Sequence, residues 1–210
     1  MRRTTPSEFR ARLARVPLAE RDAWVDRLLG LDELPDDDPA LPRGCVPYLP
    51  CPVAAILAAA DHAAVTAEDV FVDVGAGLGR AAALMHLLTG ASTIGLEIQP
   101  TLVRAARRLA ARLPELRLAI VEGDAARLAG RMTEGSVFFL YCPFSGERLA
   151  RLLDDLEAVA HTRPIRICCV DLPLPPRPWL ALAAQPSGDV GIYRSTLHLE
   201  DPEAVAHAPA

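Results

Sequence analysis

Val70-Phe71-Val72-Asp73-Val74-Gly75-Ala76-Gly77-Leu78-Gly79 (residues 70–79) is the stretch around which the chain is organised. An apolar, β-prone run ends in an acid, and glycines follow at alternate positions. Residues 80–88 then have helical composition. The pattern reads as strand, tight turn, helix. Glycine is needed where a backbone bends sharply or must approach a ligand with no side chain between. Such a turn also aims the free N–H groups of the new helix at whatever lies above the sheet.

The spacing excludes two common phosphate-binding turns. A dinucleotide fingerprint, G-x-G-x-x-G, would need its last glycine where Arg80 stands, and no G-K-[ST] ending follows. Two further strand ends carry acids. Ile94-Gly95-Leu96-Glu97 reads as a second strand closed by a carboxylate, which can accept hydrogen bonds from both hydroxyls of a ribose. Residues 116–121 read as a third strand, followed by Glu122-Gly123-Asp124-Ala125.

Residues 70–79 resemble motif I of the class I S-adenosylmethionine methyltransferases, apolar-apolar-Asp-x-Gly-x-Gly-x-Gly. The resemblance implies an α/β, Rossmann-like, seven-stranded and mostly parallel sheet with helices on both faces. It implies S-adenosyl-L-methionine as cofactor and S-adenosyl-L-homocysteine as product. The expected contacts are Asp73, Val74, Gly75, Ala76, Gly77 and Gly79 at the turn, with Glu97 and Ile98 at the ribose. Gly123, Asp124 and Ala125 are expected at the adenine, with Asp124 accepting from its amino group. Upstream, Tyr48-Leu49-Pro50-Cys51-Pro52 is similar to the Tyr-x-Pro-Thr-Pro segment of two groups. These are the non-SET histone lysine methyltransferases and the mitochondrial lysine methyltransferases of ATP synthase c subunit and the ADP/ATP translocase. In them the segment lies over the methionine end of the cofactor, which places Tyr48, Pro50 and Cys51 there. Phe139-Leu140-Tyr141-Cys142-Pro143-Phe144 resembles the Phe-Leu-Tyr-Asn-Pro-Phe of bacterial relatives of the histone enzymes. It implies that Tyr141, Cys142, Pro143 and Phe144 line the acceptor channel, with Tyr141 also at the cofactor and Tyr48 closing the channel. Cys142 departs from the polar anchor of that pattern. The resemblance covers residues 45 to about 171.

Around this core, residues 1–43 read as a helical extension with an acidic, Pro-rich linker at 32–43. Residues 44–200 are expected to form the methyltransferase domain that the resemblance implies, and 201–210 a frayed tail. In the extension, Ser7 is a candidate helix cap, and apolar stripes run through Phe9, Leu13 and Val16 and through Trp24, Val25, Leu28 and Leu29. Packing on the main domain and a lid over the cofactor are equally open. Arg104, Arg107, Arg108 and Arg112 share one face of the helix expected at 100–113, either as a solvated face or as a grip on an acidic partner. The fourth strand is expected at 136–140, a helix at 147–160 and the fifth strand at 165–170. The Pro-rich run 171–178 replaces the usual next helix. Residues 179–184 and 190–199 read as a closing hairpin.

Composition sets the remaining bounds. A chain of 210 residues with 51% hydrophobic content can bury a full core. The net charge of −5 weighs against a nucleic-acid acceptor and favours a protein or small molecule. The first residues carry no apolar segment of signal-peptide type, and the longest apolar stretch, 45–60, is interrupted by prolines. A cytoplasmic chain that does not span a membrane is expected. The cysteines (45, 51, 142, 168, 169) include no C-x-x-C pair and read as reduced thiols, with no metal site expected. If 165–170 is a strand, Cys168 and Cys169 point to opposite faces. All 22 basic residues are arginine. The expected activity is methyl transfer from S-adenosylmethionine to an acceptor left open, a protein lysine being what the resemblance points to. The alternatives are a cofactor-binding module without turnover and an NAD-linked oxidoreductase. The sequence does not reveal the oligomeric state.

Overall fold

A computed structural model describes residues 4–31, 35–39 and 41–197. The chain opens with helices α1 (Pro6–Ala14), α2 (Arg21–Leu29) and α3 (Val53–His62). Strands and helices then alternate: β1 (Val70–Val74), α4 (Arg80–Thr89), β2 (Ser92–Glu97), α5 (Pro100–Arg112), β3 (Leu118–Glu122), α6 (Ala125–Leu128), β4 (Val137–Tyr141), α7 (Gly146–Ala160) and β5 (Arg166–Val170). The hairpin β6 (Leu180–Ala184) and β7 (Val190–Ser195) closes the fold. The seven-stranded sheet runs in the order β3-β2-β1-β4-β5-β7-β6. Its first five strands are parallel, and β7 pairs antiparallel with both β5 and β6. The order reverses at β1 and β4, so the open crevice lies above their carboxyl ends.

Each central strand is apolar on both sides because helices cover both faces. Phe71, Phe139 and Cys168 pack into one core with α1 to α4, and Val72, Phe138, Leu140 and Cys169 into a second with α6 and α7. Cys168 and Cys169 therefore do part to opposite faces, both buried, and the cysteines are unpaired. At the amino ends of the strands, Asp69 accepts from the Ser136 hydroxyl at 2.7 Å and pairs with Arg166, tying β1, β4 and β5 together.

Several boundaries differ from expectation. Thr5, not Ser7, caps α1: its side chain accepts from the Glu8 amide while Glu8 reaches back to the Thr5 amide. Pro6 opens the helix, so the cap falls one residue before it. The third strand begins at Leu118 and runs to Glu122, because residues 113–116 form a turn after α5. Asp73 lies inside β1, with Val74 as the last strand residue. Residues 32–34 of the linker, 198–199 of the hairpin and the 201–210 tail lie outside the described residues. Among the described residues no helix is long and apolar enough to cross a membrane.

The extension packs on the core. Phe9, Leu13, Val25 and Leu29 are buried in the first core cluster. A polar joint holds the same contact. Arg80, the first residue of α4, is 3% exposed, and its guanidinium bonds Asp26 (2.5 Å), Asp22 (3.0 Å) and the Cys51 carbonyl. Asp22 also accepts from the Val53 amide at 3.0 Å, which caps α3. The α5 arginines serve similar joints. Arg112 donates to the Leu29 carbonyl at the end of α2, and Arg107 reaches Glu122 at 3.4 Å. Arg112 is thus engaged within the fold, while Arg107 makes an exposed pair.

Candidate functional site

The β1–α4 turn is shaped by backbone geometry that side chains resist. Gly75 and Gly77 have φ of 82° and 54°. A Cβ on Gly77 would fall 2.1 Å from the Tyr48 ring, and one on Gly75 would fall 2.8 Å from Pro143. Gly77 thus admits the segment before α3, and Gly75 admits the end of β4. Gly79 also has a positive φ, but it faces Ala106, Leu118 and Ile120 in the fold.

Glu97 braces this turn. Its Oε2 accepts from the Gly77 amide, and its Oε1 accepts from the amides of Ile98 and Gln99, each at 2.8 Å. A carboxylate offers about four lone-pair sites, so a single acceptor position remains on Oε2. Burial raises its pKa, and the three backbone donors work against that rise. Gln99 then recruits the acidic segment: it donates to Asp37 at 2.7 Å and accepts from the Asp38 amide at 2.6 Å. Asp37 in turn accepts from the Tyr48 amide at 2.9 Å. The described part of the expected linker is therefore fixed against the site. Residues 45–48 continue across it: Cys45 bridges to Phe144, and the Val46 amide donates to the Pro143 carbonyl at 3.2 Å.

Asp124 caps α6, with Oδ1 accepting from the Ala126 amide at 3.1 Å. Its Oδ2 is held by Arg148 at 2.9 Å, and the same guanidinium lies 6.0 Å from the centre of the Phe144 ring. Both carboxylate oxygens therefore have internal partners.

At the end of β4, Cys142 adopts φ 41°, and at the end of β5 Asp171 adopts φ 51°. Non-glycine residues in this region carry strain and cluster where a site demands it. The Cys142 thiol donates to the Val170 and Asp171 carbonyls at 3.3 and 2.7 Å. Burial, with the Asp171 charge adding to it, raises its pKa, so it is a neutral donor and not a nucleophile.

These groups enclose a cavity of about 180 Å³ that includes Tyr48, Gly75, Glu97, Ile98, Asp124, Ala125 and residues 141–144. A smaller hollow of about 20 Å³ lies behind Tyr48, against Cys51, Asp73, Ala76, Arg80 and Tyr141. Among the described residues two buried side-chain oxygens have no protein partner, Asp73 Oδ2 and Tyr48 Oη, and both residues line that hollow. Burial pushes the Asp73 carboxyl up to about 7, with Glu97 adding to the rise against a bond from the Ala82 amide. Burial likewise raises the Tyr48 hydroxyl and the Cys51 thiol, so both are neutral.

Most of the expected residues therefore converge. Pro50, Val74, Gly77, Gly79 and Gly123 line neither cavity. Val74 is buried in the second core, Gly77 lies beneath Tyr48, and a Cβ on Gly123 would strike Leu128 at 2.8 Å. Sequence reading missed Leu41, Val46, Leu49, Gln99 and Asp171 in the larger cavity and Arg80 in the smaller. Gln99 and Asp171 had a signal, since each lies just beyond the end of a parallel strand. None of residues 4–31 lines either cavity.

No protein-family model matches this chain, and no curated protein matches it either. Solved structures do. An RNA methyltransferase from Salinibacter ruber, in complex with S-adenosyl-L-homocysteine, superposes with a TM-score of 0.54 at 24% identity, covering 74% of this chain and 97% of its own. A methyltransferase from Geobacter sulfurreducens superposes with a TM-score of 0.55 at 18% identity, covering 90% and 97%. At these identities the likeness establishes the fold: a Rossmann-like sheet of methyltransferase type.

Proposed function

We propose that this protein is a methyltransferase using S-adenosyl-L-methionine. The observation that carries the reading is the pair of partnerless buried oxygens, Asp73 Oδ2 and Tyr48 Oη, on the hollow beside the glycine turn. A buried polar oxygen without a partner costs roughly 1–3 kcal/mol. A ligand ammonium offers three donors and a compensating charge for Asp73. The residues fit the amino-acid end of the cofactor in that respect. At the adenosyl end, Glu97 Oε2 keeps one acceptor position and Ile98 gives an apolar wall, while Asp124 is already engaged by Arg148.

When bound, the cofactor supplies a methyl carbon on a sulfonium that departs without needing a proton. The protein's part is alignment and exclusion of water. Tyr141, Pro143 and Phe144 form the acceptor side of the cavity, and Tyr48 covers Gly77. The acceptor we favour is an amine, a protein lysine by sequence resemblance. A second reading, a cofactor-binding module without turnover, is favoured by one observation: the Cys142 thiol is turned into the Val170 and Asp171 carbonyls and supplies no polar anchor.

Calorimetry with S-adenosylhomocysteine tests the reading. Heat of binding is expected for the native protein, and at least tenfold weaker affinity for Gly77→Ala, which strains φ and displaces Tyr48. Absence of binding to the native protein overturns it. Labelled S-adenosylmethionine with a protein extract separates the two forms, since the module transfers no label.

A further inference from the structure

The acceptor side of the cavity holds a carboxylate that nothing in the fold uses. Asp171 lines the cavity together with Tyr141 and Cys142. It follows β5 directly, one step beyond the Tyr141–Val170 register pair, so it stands beside Cys142 at the neighbouring strand end. Its carboxylate forms no hydrogen bond or ion pair with the described residues, although its amide is fixed by the Asp189 carbonyl at 2.8 Å. The arginine of the smaller hollow, Arg80, is committed to Asp22 and Asp26, and Arg148, which lines neither hollow, is paired with Asp124. Burial raises the pKa of Cys142, with the Asp171 charge next, and that of Tyr141, where Asp171 adds to the rise after Cys51.

Resting on the methyltransferase reading, we propose that Asp171 is the specificity-determining residue of the acceptor site and selects an alkylamine, holding it as the ammonium, which loses its proton to solvent before the neutral nitrogen can take the methyl group. The thiol of Cys142 is the strut of this arrangement. By donating to the Asp171 carbonyl it holds the strained φ of that residue, and the carboxylate is left free. The rim beside it is apolar: Leu49 and Val46 are 59% and 42% exposed on the same cavity. An ammonium on an aliphatic stem matches both features, the charge meeting Asp171 and the stem meeting the rim. An anionic acceptor would face Asp171 with no arginine or histidine among the described residues that line the cavity.

Saturation-transfer NMR on the full chain, with millimolar n-butylammonium and its uncharged counterpart n-butanol, tests this with and without S-adenosylhomocysteine. Butylammonium is expected to bind the native protein and to lose at least fivefold in Asp171→Asn, with butanol weaker in both. Asparagine tolerates a positive φ, so the variant is expected to keep its thermal midpoint. Asp189→Asn, a neighbouring exposed carboxylate, is the control expected to change nothing. Equal binding of the two probes, no binding of either, or retention of butylammonium by Asp171→Asn overturns the proposal. Failure of S-adenosylhomocysteine to bind overturns the cofactor reading alone, because the amine titration without it still decides the role of Asp171.

Discussion

Asp73 is the residue whose surroundings conflict most with its chemistry. Burial holds its carboxyl at about 7, against an ordinary 3.8. Below about pH 4 the group is neutral in the native and the unfolded chain alike. Between about 4 and 7 the unfolded chain ionises first, so the native state binds more protons and stability falls as pH rises. At 1.36 kcal/mol per unit, the loss is at most about 4 kcal/mol. Urea unfolding at pH 5 and pH 8 is expected to show the part of this loss that falls above pH 5, about 3 kcal/mol, and Asp73→Asn to remove most of it. Glu97, raised in the same direction, accounts for the remainder. A cationic ligand beside Asp73 reverses the preference, so binding near pH 6 is expected to release a proton. Calorimetry in buffers of different ionisation enthalpy reads that release.

The elements were largely legible in the sequence because each carries its own period. Strand β1, its glycine turn and α4 follow from ten residues in which apolar run, acid and glycines succeed one another. The end of β4 was legible as a candidate site because Phe139 to Phe144 resemble a known acceptor-site pattern at the carboxyl end of a parallel strand. Arg80 was not legible, because a charged residue at a helix start reads as solvated, and its partners lie on α2, more than fifty positions earlier. Nor was the engagement of Asp124 by Arg148, which depends on how α6 and α7 approach, a property that no local window contains. The Arg80 joint is an element-scale device. Replacing one partner of a buried ion cluster costs about 3–5 kcal/mol. Arg80→Met is expected to lose stability on that scale and to expose α2 to proteolysis. If α2 stays protected, the joint is not what docks it.

The molecule as a whole is one packed body in which the extension is a structural part of the core. Phe9, Leu13, Val25 and Leu29 each remove a full apolar side chain from water, worth about 1.5–3 kcal/mol apiece. Their sum is comparable to the entire stability of a domain, roughly 5–15 kcal/mol. Removing residues 1–31 is therefore expected to leave the chain aggregated or unfolded, as judged by solubility and circular dichroism. A soluble, cooperatively folding remnant would show that the sheet stands without these helices.

The adjacent pair Cys168 and Cys169 gives the fold a native two-channel reporter. One thiol sits under each helical layer of the sheet, and neither is reachable while both layers are closed. A thiol reagent that modifies one of them ahead of the other would tell which layer peels away first, with no label added to the chain.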